Sequence, residues 1–345
     1  MTKIQWTNET WNPVTGCTKV SQGCKHCYAE REFPRVYAKT GRKFTDIALH
    51  PERLEKPLRW TKPRMIFVNS MSDLFHEDVP DEFIDQVFGI MSACDRHTFQ
   101  VLTKRPERMR TWFATRTPDI SFGTPLKAGD PIGADPEEVT RWKIAGAAGE
   151  KRDNCGLDWP LRNVWLGVSV EDQATADERI PLLLETPAAL RWVSYEPALG
   201  PVEFRPVLTH CPTHDFASGF CIGPCPDRVG IDWIVVGGES GPGARPFDIG
   251  WARSTVEQCK EAGVSVFVKQ LGGNHRGWCA SETKELCGPD HVEQYDVCDA
   301  YEASEQGKHC EDYGRRCVLM RDRKGGDPSE WPADLRVREW PEVKA

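Results

Sequence analysis

Six short apolar runs recur along the chain, and they constrain its fold more than any other feature. They are 65–69 (MIFVN), 99–103 (FQVLT), 164–170 (VWLGVSV), 190–196 (LRWVSYE), 232–238 (DWIVVGG) and 264–270 (VSVFVKQ). Most are near-continuous rather than alternating, the pattern of strands buried on both faces of a parallel sheet. The run IQW at 4–6 reads as an additional first strand. Helical patterns lie between the runs. Residues 80–97 place Phe83, Ile84, Val87, Phe88, Met91 and Cys94 at helical spacing, with Asp81 as the expected N-cap. Residues 171–185 and 247–263 read as helices too, the latter with Gly263 just past its end. Strand, helix, strand at this spacing predicts an α/β fold, a partial or full (β/α) barrel.

The rhythm sets the expected organisation. Residues 1–275 form the barrel, with insertions at about 117–160 and 205–230, and 276–345 form a Cys-rich C-terminal extension. At 39% hydrophobic and 28% charged residues the chain can bury a core, which excludes a disordered polyelectrolyte. No stretch reaches ~18 apolar residues, so no membrane span is expected. The opening MTKIQWTNETWNP carries no apolar signal core, which points to the cytoplasm. A net charge of −8 gives no global attraction for nucleic acid, though a local basic groove remains open. There are 14 cysteines, which in a reducing compartment bind metal or do chemistry more often than they pair.

All six runs end in polar side chains or glycines. The ends are Asn69-Ser70-Met71-Ser72-Asp73, Thr103-Lys104-Arg105, Ser169 with Glu171, Ser194 with Glu196, Gly237-Gly238-Glu239-Ser240, and Lys269-Gln270. In a parallel βα barrel such ends meet at one mouth, where active sites are built. The alternative for each is a rim salt bridge or a helix cap. The loop Gly237–Gly241 lacks the Gly-Lys-Ser/Thr ending of a phosphate-cradling loop, so its glycines serve close backbone approach; nearby Arg245 is a candidate anion ligand.

The sharpest local motif is Cys17-x6-Cys24-x2-Cys27, three thiols within eleven residues beside Gly16 and Gly23. A cubane iron–sulfur cluster takes soft thiolate ligands from such a loop, and three ligands leave one iron open. Structural zinc wants four ligands, and His26 or a distant residue would have to complete it. With Tyr28-Ala29 after the last cysteine and strands downstream, the segment resembles the radical S-adenosylmethionine (SAM) superfamily. The usual spacing there is C-x3-C-x2-C, and the six-residue first gap here departs from it. The chain most resembles a phage and bacterial family of three-cysteine-motif proteins of poorly defined function. The blocks that carry this likeness are 69–75 (NSMSDLF), 101–109 (VLTKRPERM), 167–172 (GVSVED), 194–201 (SYEPALGP) and 236–246 (VGGESGPGARP). A weaker likeness is to the spore photoproduct lyase branch.

The resemblance implies a chemistry. Cys17, Cys24 and Cys27 would bind a [4Fe–4S] cluster whose fourth iron chelates SAM. Reductive cleavage of SAM followed by hydrogen-atom abstraction would be the reaction, with an electron donor protein required. Tyr28, Ser70, Ser72 and Asp73 would lie against the cofactors. Lys104 would hold the SAM carboxylate or a substrate anion. Glu171, Glu196 and Glu239 would take ribose hydroxyls, the amino group or substrate, and Lys104, Glu196 and Glu239 are the catalytic candidates. The segment Thr103–Arg110 and the phage association suggest a nucleic acid or nucleotide substrate, and a separate partner protein remains open.

Cys211, His214, Cys221 and Cys225 form a compact C-x2-H-x6-C-x3-C set, the spacing of a structural zinc that staples a small insertion. Cys279, Cys287, Cys298, Cys310 and Cys317, with His275, His291 and His309, are spaced too loosely to choose ligands for a second zinc or an auxiliary cluster. Cys94 and Cys259 fall on apolar helix faces and read as core. Residues 322–341 are charged, rich in Gly and Pro, and aromatic, fit to close over the mouth, to contact nucleic acid, or to be tied down by Trp331 and Trp340. Two other classes compete: a zinc-dependent nucleic-acid-binding or adaptor protein with every cysteine structural, and a non-radical iron–sulfur protein.

Overall fold

The computed structural model describes residues 2, 4–115, 160–208, 229–276, 322 and 324–341. Seven strands form one sheet whose order follows the chain: β1 (Glu9–Trp11), β2 (Met65–Val68), β3 (Thr98–Thr103), β4 (Val164–Val170), β5 (Leu190–Tyr195), β6 (Trp233–Gly237) and β7 (Ser265–Gln270). Parallel ladders join β1 to β2, β2 to β3, β3 to β4, and β6 to β7. The helices are α1 (Tyr28–Val36), α2 (Asp81–Ala93), α3 (Pro106–Thr115), α4 (Gln173–Leu184), α5 (Arg205–Leu208) and α6 (Ile249–Ala262). This mixed α/β order is compatible with a partial (β/α) barrel. The chain divides into two compact units, Met1–Ser169 with Asp177–Val193, and Val170–Ala176 with Ser194–Ala345.

The six apolar runs are β2 to β7. Every residue of β4 and of β6 is buried, as continuous apolar runs require. The first strand is Glu9–Trp11, not residues 4–6. Trp6 sits in a turn and packs edge-on against Phe67 and Trp192, with ring centroids 4.8 and 5.2 Å apart. Trp11 instead aligns with Val68 and donates its indole N–H to the Arg53 carbonyl at 2.8 Å. In α2, Phe83, Ile84, Val87, Phe88 and Met91 are buried as their spacing predicts. Asp81 is not the N-cap. Pro80 caps the helix, and the Asp81 carboxylate receives Arg108 at 2.9 Å from α3. In α6 the Asp248 side chain accepts from the Gly250 amide, and Gly263 ends the helix at φ 66°. Cys94 and Cys259 are fully buried, as their helix positions predict.

In the second unit, residues 324–341 lie along the exposed edge of β7. Val268 donates to the Val337 carbonyl, Glu339 donates to the Val266 carbonyl, and Phe267 bridges Arg338 in antiparallel fashion. Trp331 is the buried anchor, its indole N–H on the Gly325 carbonyl at 3.0 Å. Trp340 is exposed but packs edge-on against Phe267. The C-terminal segment therefore pairs and covers a sheet edge, which would otherwise be an unpaired strand.

Candidate metal centre

In the first unit, parallel β1, β2 and β3 bring the segments after them to one edge of the sheet. β1 runs into the cysteine loop, β2 into Asn69–Asp73, and β3 into Lys104-Arg105. The loop is held from several sides. Val14-Thr15 pairs antiparallel with Ala48-Leu49, Gly16 bridges Ser72, and the Cys17 amide donates to the Phe44 carbonyl at 2.9 Å. Gly16 has φ 97°, and a Cβ there would stand 2.4 Å from the Asp46 carbonyl oxygen. Asn69 also takes a left-handed conformation, φ 59°, and its side-chain oxygen accepts from the Val14 amide. Asn12 accepts from the Met71 amide and the Ser70 hydroxyl at 3.0 and 3.1 Å.

Cys17, Cys24 and Cys27 are half-buried free thiols. Cys24 ends a short 3-10 turn beside the Ser21 hydroxyl, 3.9 Å away. Cys27 is the N-cap of α1. Burial pushes the Cys17 thiol up to about 12; Asp73 and Cys24 add to the rise and Arg105 opposes it. Burial also raises Cys27, against amide hydrogen bonds from Glu30 and Ala29. Cys24 thus lies within electrostatic reach of both other sulfurs. Raised thiols stay protonated near neutral pH, so a bound metal has to displace the protons. Among the described residues, no three His, Cys, Asp or Glu side chains are grouped so as to hold a metal ion. The donor chemistry nevertheless fits a cubane better than a zinc ion. It offers three soft thiols on one loop, with an arginine guanidinium 3.7 Å from the first sulfur to offset the charge of a thiolate-ligated cluster.

Arg105 is the residue that sequence reasoning undervalued, because Lys104 beside it drew the anion-binding role. Its side chain lies between Cys17, Thr18, Asp73 and Glu77. Asp73 itself is buried, and its two oxygens accept from the Thr103 hydroxyl, the Phe75 and Lys104 amides and Arg105. Asp73 therefore ties the end of β2 to the end of β3. His76 is fully buried. Burial, then the Arg105 charge, lowers its pKa, so the ring is neutral at neutral pH. The Asp78 amide donates to Nδ1, which leaves the proton on Nε2 for the Thr18 hydroxyl at 2.8 Å. An acidic residue ending β2 opposite a basic one ending the neighbouring β3 was the available signal for this network.

The other expected residues fall as follows. The Tyr28 hydroxyl donates to the Ser70 carbonyl at 2.5 Å, pinning the start of α1 to the β2 end. The Ser70 and Ser72 hydroxyls are used inside the fold, on Asn12 and on the Val14 carbonyl. Lys104 is partly buried at the β3 end. The arginines of Thr103–Arg110 are engaged within the fold. Arg108 reaches the His76 and Val79 carbonyls and Asp81, and Arg110 pairs with Glu185.

In the second unit, Glu196 takes the Lys269 ammonium at 2.6 and 2.7 Å and the Gln270 amide at 3.0 Å. Glu239 takes both Arg245 side-chain arms and its backbone amide, so Arg245 pairs with Glu239. Glu171 is fully buried. Cys211, His214, Cys221 and Cys225, the insertion at 117–160 apart from Pro160, and Cys279, Cys287, Cys298, Cys310 and Cys317 lie outside the described residues.

The family described as "Protein of unknown function (DUF5131)" matches residues 1–311. The chain belongs to the DUF5131 family. The match takes in the cysteine loop and every strand end described above. No curated protein and no solved structure matches this DUF5131 chain.

Proposed function

We propose that this DUF5131 chain is a radical SAM-type enzyme. The observation that carries the reading is the three-thiol loop at the ends of β1 to β3, with one guanidinium against its first sulfur. Cys17, Cys24 and Cys27 would hold a [4Fe–4S] cluster, which together with bound SAM would supply reductive SAM cleavage and hydrogen-atom abstraction.

The chain's own groups have separate tasks. Cys17, Cys24 and Cys27 bind. Gly16 gives the loop its entry angle. Asp73 and Arg105 hold the β2 and β3 ends together, and Arg105 offsets the charge of the thiolates. Lys104, at the same strand end, supplies a cation for the SAM carboxylate. In the second unit, Glu196 and Glu239 are held in ion pairs with Lys269 and Arg245. Arg105, Arg108 and Arg110 make contacts within the fold, so the nucleic acid or nucleotide substrate rests on the family resemblance alone.

The test is anaerobic protein with dithionite and SAM, assayed for 5′-deoxyadenosine. The nucleoside forms with the wild-type chain and not with Cys24→Ala. Iron without the nucleoside points to a non-radical iron–sulfur protein. Zinc alone points to a metal-stapled binding or adaptor protein. Either result overturns the reading.

A further inference from the structure

Arg105 has five N–H donors, and each meets an acceptor. Nε donates to Glu77 at 2.9 Å. One Nη1 hydrogen goes to Asp73 at 3.3 Å and the other to the Cys17 sulfur at 3.7 Å. The two Nη2 hydrogens go to the Thr18 hydroxyl at 2.9 Å and the Thr18 carbonyl at 3.3 Å. The side chain is 9% exposed. The guanidinium thus brackets Cys17 from its sulfur and from the residue that follows it.

The surroundings keep that geometry fixed. The Arg105 amide donates to the Thr103 hydroxyl at 2.8 Å, and the same hydroxyl donates to Asp73 at 2.8 Å. His76 holds Thr18 from the other side at 2.8 Å. The three cysteines are therefore unequal. Cys17 faces a fixed cation, Cys24 a serine hydroxyl, and Cys27 the first amides of α1. A lysine cannot reproduce this, because an ammonium has three donors on a flexible stem and no planar fork.

We propose that Arg105 is a positioning residue that fixes Cys17 and raises the reduction potential of a cluster held by the cysteine loop. This rests on the cluster reading above. A hydrogen-bonded cation at a thiolate ligand draws charge from the sulfur and favours the more negative, reduced cluster. Water is largely excluded at this position, so the charge is screened less than at the surface.

The experiment compares wild type, Arg105→Gln and Arg105→Lys as anaerobically reconstituted full chains. Iron content, thermal unfolding and an EPR-monitored redox titration are measured on each. In Arg105→Gln the reduced-to-oxidised ratio at fixed potential falls at least about tenfold, which is about 59 mV for a one-electron couple. Arg105→Lys falls between the two. A purely structural role would change unfolding without moving the potential. Potentials equal to wild type in both variants at full iron content overturn the proposal. If Arg105→Gln does not fold, Arg105→Lys decides, and an unchanged potential overturns it. A wild-type chain that takes up no iron overturns the cluster reading itself, and this inference with it.

Discussion

Replacing Asp73 by Asn is expected to destabilise the chain by about 3 kcal/mol, the lower end of the cost of breaking a buried ion pair by removing one partner. The carboxylate accepts from one hydroxyl, two amides and a guanidinium, and its surroundings offer it only donors. An amide keeps one acceptor oxygen and turns an NH2 group against them, so two N–H groups face each other and the Arg105 charge loses its buried partner. Glu77, at 2.9 Å from Arg105, retains part of the compensation, which keeps the loss at the lower end. Denaturant unfolding measures it. A loss below about 1 kcal/mol, the value of one ordinary hydrogen bond, would show that Asp73 does not organise the strand ends. The cysteine loop should loosen with it, because Arg105 is the link from Asp73 to Cys17 and Thr18.

The Gly16→Ala chain should lose metal uptake and stability together. A side chain at φ 97° is strained by about 1–3 kcal/mol. Its Cβ would also stand 2.4 Å from the Asp46 oxygen and 3.0 Å from that of Phe44, both backbone atoms. Neither can yield cheaply. Asp46 is held by Arg42 and by the Lys43 amide, and the Phe44 carbonyl is the acceptor for Cys17. The displacement therefore passes directly to the first cysteine. Gly41 is the control. It has φ 68°, but nothing lies within 4 Å of a Cβ there, so Gly41→Ala carries backbone strain alone and keeps metal uptake. Equal iron content in both variants would contradict the role given to Gly16.

The six apolar runs identified six of the seven sheet strands in the sequence, because burial on both faces leaves an unbroken apolar stretch. The seventh, Glu9–Trp11, escaped notice. It has three residues, two of them polar, and its register against Ile66–Val68 depends on residues 57 positions away. The cysteine loop was legible from spacing alone. What surrounds it was not. Asp73 and Arg105 lie 32 residues apart and meet because β2 and β3 are parallel neighbours. His76 reaches Thr18 across 58 residues. Such pairs are made by topology, so a linear pattern shows the polar strand end without showing which of its residues faces the loop. The same holds for Glu196 with Lys269 and Glu239 with Arg245. In the sequence they read either as ligand-binding carboxylates or as rim salt bridges, and they fold as ion pairs. Of the three roles the sequence left open for the C-terminal segment, the structure has it tied down by Trp331 and Trp340 along the β7 edge.

The central claim is that Cys17, Cys24 and Cys27 hold an iron–sulfur cluster. Iron, sulfide and zinc per chain, measured after anaerobic reconstitution, test it most directly when wild type is compared with the Cys17→Ala/Cys24→Ala/Cys27→Ala chain. The difference between the two removes any contribution from the other cysteines. A difference of about four irons and four sulfides is the expected result. Equal iron in the two chains, or zinc alone in both, would contradict the claim.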